Sequence, residues 1–301
     1  MVILIGICVI GFGLFILYYL RYKKMYYTVE KLLDDIIEEQ KIELSDTAEG
    51  ELSALVGKAI RVQKKLEFEI RQATEEKEEL SRFVSDLSHQ LKTPLASIQM
   101  FQELLENSQL KEDDRIHLQS KLRGQTERLQ WILNSLFKMI VLEQNTVEIA
   151  LGKGNITETI LEAVGLIYEK AEKKRIELEL YDEKEIYLLY HKKWMVEVLV
   201  NILENAIKYT PEFGKIEISI KQFPMYSCVQ IRDNGIGIEK EEQLKVFKRF
   251  YRSAKVDTIE GSGIGLYLSK LIMEKQRGYI TMESSGQKGS CFYLYLQNCK
   301  N

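Results

Sequence analysis

Proline is scarce in this chain: three residues among 301, at Pro94, Pro211 and Pro224. The charged stretch from Tyr26 to Arg71 has none, so nothing there forbids long uninterrupted helix. The four cysteines, Cys8, Cys228, Cys291 and Cys299, lack metal-ligand spacing and make no disulfide framework. They point to a reducing compartment and to no zinc. Neither charge sign dominates, with 42 Lys and Arg against 45 Asp and Glu and a formal net charge of −3. Without a basic stripe, nucleic acid is not an expected partner.

Long apolar runs are also missing, with one exception. Val2 to Leu20 is unbroken by charge, and about 20 such residues cross a bilayer as a helix. Only Met1 precedes the run, while Arg21, Lys23 and Lys24 follow it. The positive-inside rule then places the N-terminus outside and everything after Leu20 in the cytoplasm. A secretory signal would carry its charges first and end at a small-residue cleavage site. The expectation is a single-pass signal anchor over residues 1–24, retained in the cell membrane.

Helical spacing dominates the next 120 residues. Leu32, Leu33, Ile36, Ile37, Leu52, Leu55 and Val56 recur at helical intervals over 25–75. From Ile60 to Asn107 one long helix is expected, with a stripe at Leu80, Val84, Leu87, Leu91, Leu95, Ile98 and Leu105. Polar residues from Asn107 to Asp114 make a turn. A second helix follows from Arg115 to Glu143, seamed by Ile116, Leu122, Leu129, Ile132, Leu136 and Met139 or Ile140. Two such helices cannot close a core, so residues 76–146 should pair with a second copy as a four-helix bundle, making a homodimer.

His89 lies two residues from both Leu87 and Leu91, about 200° around a helix. It should face solvent. Lys92, Thr93 and Pro94 follow it, and a proline removes a backbone donor and bends a helix. His117 and His191 have no comparable setting and read as structural or incidental.

After a short linker from Gln144 to Gly154, residues 147–301 read as an α/β sandwich. Helices are expected over Asn155–Lys174 and Lys192–Tyr209, and strands over Arg175–Leu180, Ile186–Leu189, Cys228–Asp233, Tyr279–Ser284 and Cys291–Leu296. In the second helix, Met195, Val198, Leu199, Ile202, Leu203 and Ala206 form a core-facing stripe. Asn201, Asn205 and Lys208 line its edge at spacings of four and three. An amide oxygen there can ligate Mg²⁺ and an ammonium can meet phosphate; a solvated polar edge is the plainer alternative. Asp233 ends an apolar strand face, where a carboxylate is costly unless paired. Gly235 and Gly237 follow, and Gly261-Ser262-Gly263-Ile264-Gly265 opens another helix, whose free N–H groups suit phosphate.

Four segments thus occur in register: Ser88-His89-Gln90-Leu91-Lys92-Thr93-Pro94, Asn201-Ile202-Leu203-Glu204-Asn205-Ala206-Ile207-Lys208-Tyr209-Thr210, Asp233-Asn234-Gly235-Ile236-Gly237-Ile238 and Gly261-Ser262-Gly263-Ile264-Gly265-Leu266. From about residue 60 onward, this order resembles the sensor histidine kinases of two-component systems, with a dimerisation and phosphotransfer hairpin ahead of a GHKL-type ATP-binding domain. The resemblance implies an ATP-dependent protein-histidine kinase. His89 would be the phosphoacceptor, and the phosphoryl group would pass to an aspartate on a separate response regulator. ATP would contact Asn201, Asn205, Lys208, Tyr209, Asp233, Gly235, Gly237, Gly261, Gly263, Gly265 and Leu266. Asn205 would be the Mg²⁺ ligand, and Asp233 would accept from the adenine amino group. Phe247, Phe250 and Tyr251 resemble the phenylalanine motif before a mobile lid, here Ser253 to Glu260.

Two departures stand out. The family commonly places Asp or Glu directly after the histidine, where this chain has Gln90; an amide accepts a hydrogen bond but is no base. Thr93 matches the position that orients water in members that dephosphorylate their regulator. A weak-kinase scaffold dominated by that phosphatase activity is therefore the alternative. A GHKL chaperone or mismatch-repair ATPase would lack the helix carrying His89. Glu49-Gly50-Glu51-Leu52 resembles the middle of a HAMP-type linker, though without its usual proline; a plain coiled-coil stalk remains open. Minimal outer segments beside a His-Gln pair resemble kinases working with ABC transporters, although those usually have two spans.

Overall fold

The structure is a computed structural model describing residues 2–37, 51–107, 110–144, 149–181, 184–253, 255, 261–285 and 288–299. The chain forms two compact units, Met1–Ser85 and Asp86–Asn301.

The first unit is helical. Helix α1 (Val2–Ile37) continues past the expected anchor boundary at residue 24. It alone among the described residues is long and apolar enough to cross a membrane. Its side chains from Ile5 to Leu20 are exposed. Toward its end Leu32 is buried, as are Val56 and Gln63 of α2 (Glu51–Leu105). Most of the HAMP-like segment around Glu49 and Gly50 lies outside the described residues. Helix α2 begins nine residues before the expected Ile60 and runs through Pro94 without ending. Pro94 is buried; the Thr93 hydroxyl donates to the His89 carbonyl (3.4 Å) and that of Ser97 to the Thr93 carbonyl (3.1 Å).

In the second unit, the end of α2 is followed by α3 (Glu112–Glu143), which starts ahead of the expected Arg115. Glu112, Asp113 and Asp114 occupy its first turn, where carboxylates complement the helix dipole. Ile132, Ser135, Met139 and Leu142 of α3 are buried. Then come β1 (Gly152–Asn155), α4 (Ile156–Lys173), β2 (Glu177–Leu180), β3 (Tyr187–Tyr190), α5 (Lys192–Tyr209), β4 (Lys215–Gln222), β5 (Tyr226–Asp233), α6 (Gly265–Lys275), β6 (Tyr279–Ser284) and β7 (Ser290–Asn298).

The strands form one mixed sheet in the order β1-β3-β7-β5-β4-β2, with β6 also on β7. Register aligns Ile218 with Ile231 and Ile231 with Phe292, so one face is continuously apolar and buried. Helices α4, α5 and α6 supply the matching stripes: Ile160, Ala163 and Ile167; Met195, Leu199 and Ile202; Leu268 and Ile272. Asn155 caps α4 by accepting from the Thr157 N–H (3.1 Å). The expected linker from Gln144 to Gly154 is corrected at its end, because Gly152–Asn155 pairs antiparallel with β3. This architecture places the end of α5, the end of β5 and the start of α6 side by side.

Candidate active site

A cavity of about 1550 Å³ opens among α5, the loop after β5 and the start of α6. Each nucleotide-side position named from the sequence lines it. Asn201 is buried and its amide donates to the Ser269 hydroxyl at 3.5 Å, joining α5 to α6. Asn205, one turn on, lines the cavity half-buried. The Lys208 ammonium sits 4.7 Å from the Tyr209 ring centroid. Tyr209 closes α5, and its carbonyl accepts from the Ile236 N–H (3.2 Å) in the glycine loop.

Sequence spacing missed the residue that fixes this corner. Lys174, more than thirty positions upstream, donates to the carbonyls of Ile207 (2.9 Å), Lys208 (2.9 Å) and Thr210 (3.0 Å). A cation on the last carbonyls satisfies acceptors with no partner inside the helix. It therefore holds the end of α5 where Lys208 and Tyr209 enter the cavity.

Asp233 is buried at the end of β5. Its Oδ1 accepts from the backbone N–H groups of Gly235 (2.9 Å) and Ser290 (3.2 Å). Burial pushes its carboxyl above the usual range, and those two bonds oppose the shift. Both bonds go to Oδ1, and Asp233 lines the cavity. Gly235 is dictated by contact: a Cβ there would lie 2.5 Å from the Tyr209 carbonyl oxygen. Gly263 has φ +70°, and its Cβ would lie 2.5 Å from the Phe250 carbonyl carbon. Gly237, Gly261 and Leu266 line the same wall, and Gly265 begins α6. The Ser262 hydroxyl accepts from the Ile264 N–H (3.3 Å).

The segment Glu239–Arg252 folds as consecutive turns. Phe247 meets Phe292 edge-on at 6.4 Å, and the Tyr251 hydroxyl donates to Glu242 (2.9 Å). Of the expected lid, positions 254 and 256–260 lie outside the described residues. Helix α3 also packs beside the cavity. Glu143 accepts from Arg249 (2.5 Å) and from the Tyr267 hydroxyl (2.6 Å), and Lys138 pairs with Glu197 (2.6 Å).

His89 is exposed on α2, as its spacing predicts. Gln90 is half-buried and Thr93 exposed, and none of the three lines the cavity. The structure thus gathers the nucleotide-side residues and keeps the histidine outside their site. His117 is exposed on α3. His191 stands before α5, and its backbone N–H donates to Gln276 (2.7 Å).

Comparison with known proteins agrees with this division. Residues 79–140 match the His Kinase A (phospho-acceptor) domain, and residues 190–299 match the histidine kinase-, DNA gyrase B- and HSP90-like ATPase. The chain is 30% identical over 201 residues to sensor protein kinase PmrB of Pseudomonas aeruginosa, covering 66% of this chain and 41% of that protein. It is 30% identical over 223 residues to sensor protein kinase WalK of Staphylococcus aureus, covering 72% of this chain and 54% of that one. The chain therefore spans about half the length of these curated relatives. The solved structure of Acinetobacter baumannii histidine kinase AdeS shares the fold, with TM-score 0.59 and 22% identity over 70% of this chain and 98% of that one. Carrying the phospho-acceptor and ATPase modules in this order, the chain belongs to the sensor histidine kinases of two-component systems.

Proposed function

We propose that the chain is a membrane-bound homodimeric kinase that phosphorylates His89 with ATP and passes the phosphoryl group to an aspartate of a separate response regulator. The observation that carries this reading is the convergence of Asn205, Lys208, Asp233 and the α6 N-terminus on one cavity, in a chain whose matched phospho-acceptor module exposes a histidine.

Asp233 Oδ2 accepts from the adenine amino group, and the glycine loop lets the base approach the backbone. Lys208 and the N–H groups opening α6 receive phosphate oxygens. Among the described residues no cluster of three His, Cys, Asp or Glu side chains could hold a metal by itself. Mg²⁺ typically keeps waters and phosphate oxygens and takes only one or two protein oxygens, which Asn205, helped by Asn201, fits. When bound, it neutralises charge on the phosphates.

A ring nitrogen of His89 attacks the γ-phosphorus in line, forming an N–P bond as the bond to the ADP oxygen breaks. The displaced proton leaves to solvent, because Gln90 can accept a hydrogen bond but cannot take a proton at neutral pH. His89 does not line the cavity, so the γ-phosphate must be brought to it. Catalysis then resides mainly in positioning.

Leu95, Ile116 and Phe137 of the hairpin are 46%, 57% and 65% exposed, an apolar surface that a second copy covers. Helix α1 anchors the protein, with the catalytic part cytoplasmic. An ABC transporter beside α1 is the membrane partner this arrangement favours. Gln90 supports a second reading, in which regulator dephosphorylation aided by Thr93 outweighs a weak kinase. Incubation with Mg²⁺ and ATP labelled separately at the α- and γ-phosphates is the test. Label retained only from the γ position supports a kinase; no retained label, with regulator phosphate still lost faster in its presence, selects the second reading.

A further inference from the structure

Helix α3 contributes a cation to the nucleotide cavity that no motif of the ATP domain contains. Arg128 lines the cavity, and its Nη2 donates to the Gly261 carbonyl at 3.4 Å. Gly261 is also where two other cations meet. A Cβ built there would lie 2.6 Å from the Lys208 ammonium and 3.9 Å from Arg252 Nε. Arg128, Lys208 and Arg252 thus converge on one glycine ahead of α6, where a polyanion can meet more than one of them.

We infer that Arg128 is a phosphate-binding residue supplied by the hairpin, completing the site for the terminal phosphate of ATP. This deepens the kinase reading and rests on it. A guanidinium offers several donors in a planar fork, so it can keep the Gly261 carbonyl and still meet a phosphate oxygen. Helix α3 is held against the ATP domain by the Glu143 contacts to Arg249 and Tyr267 and by the Lys138–Glu197 pair. Arg128 therefore reaches the cavity only while α3 is docked. A nucleotide with a γ-phosphate engages all three cations and favours docking, whereas ADP offers less charge and lets α3 go.

The test measures binding by the full chain in detergent, using calorimetry with a non-hydrolysable ATP analogue and, separately, ADP. Arg128→Gln retains an N–H donor for Gly261 but removes the charge, and Arg128→Lys retains the charge without the fork. One charge-assisted contact corresponds to about a ten- to hundred-fold change. Arg128→Gln should weaken the ATP analogue by about that factor and ADP by less than about three-fold, with Arg128→Lys between it and the parent. Thermal unfolding without nucleotide should match the parent. Unchanged affinity for the analogue in Arg128→Gln overturns the inference and leaves Arg128 as a structural partner of Gly261. Equal weakening of the analogue and ADP also overturns it, because the contact is then not to the terminal phosphate. Lys208→Ala is the control: if it weakens both ligands while Arg128→Gln weakens neither, the kinase reading stands and the inference falls. Absence of nucleotide binding by the parent removes the reading itself.

Discussion

Two substitutions at Asp233 separate holding the fold from reading the base. In Asp233→Asn, the amide oxygen can still accept from the Gly235 and Ser290 N–H groups (2.9 and 3.2 Å). An NH₂ then replaces Oδ2 on the ligand side and sets a donor against the adenine amino group. Losing one bond to a charged acceptor costs about 1.5–3 kcal/mol, roughly ten- to hundred-fold in affinity. The parent fold should survive. In Asp233→Ala, both buried N–H groups lose their acceptor, at about 1–3 kcal/mol each. That is a large part of the ~5–15 kcal/mol that holds a domain together, so the alanine variant should unfold at markedly lower temperature. The asparagine variant should also gain relative affinity for a guanine nucleotide, whose ring carries a carbonyl where adenine has its amino group. Burial raises the Asp233 carboxyl, and the ionised form is the better acceptor. Adenine affinity should therefore fall on acidification through a pH above the ordinary carboxylate range. The stability term has the opposite sense: folding favours the protonated acid, so this group's contribution declines as pH rises from its unfolded to its raised folded pKa. Calorimetric titration and thermal unfolding supply both readouts. Unchanged ATP affinity in a folded Asp233→Asn protein would refute the placement of adenine at Oδ2.

Three further expectations follow from named residues. Asn205→Ala should abolish phosphorylation while leaving thermal unfolding near the parent's, since the side chain lines the cavity half-buried; retained labelling would reduce Asn205 to a surface residue. Gln90→Glu should speed autophosphorylation, with general-base help worth at most ~10²–10⁴-fold, and Thr93→Ala should slow regulator dephosphorylation more than the kinase step; rates unmoved by either change would remove that division of labour. Replacing Val2 to Leu20 by an unrelated apolar span of equal length should abolish the stimulus response in cells, because a ligand shifts an equilibrium only through contacts that differ between its states. A preserved response would move sensing away from this helix.

Where local pattern and tertiary structure agree, the elements were legible in the sequence. Helix α5 spans Lys192–Tyr209 as its stripe predicts, and β6 spans Tyr279–Ser284. Strand β4 carries an alternation at Ile216, Ile218 and Ile220 that marks it as half-buried, although it sits outside the four motifs. Strand β1, Gly-Lys-Gly-Asn, has no apolar alternation at all; pairing with β3 makes it a strand. That Asn201, Asn205, Lys208, Asp233 and the glycines would line one cavity was legible because their motifs are short and local. Lys174 and Arg128 were not, because each acts across a separation that only folding closes, as Arg128 and Gly261 show. The exposure of His89 followed from its phase against Leu87 and Leu91, whereas its place outside the cavity is a tertiary fact with no local signature.

The central claim is that the phosphoryl group resides on His89. The direct measurement incubates the full chain with Mg²⁺ and γ-labelled ATP, tests the label for acid lability and base stability, and locates it by mass spectrometry beside a His89→Gln protein. The account predicts an acid-labile, base-stable label on the segment containing His89, absent from His89→Gln although His117 and His191 remain. Such a label persisting in a folded His89→Gln protein, or found on another residue of the parent, would contradict it.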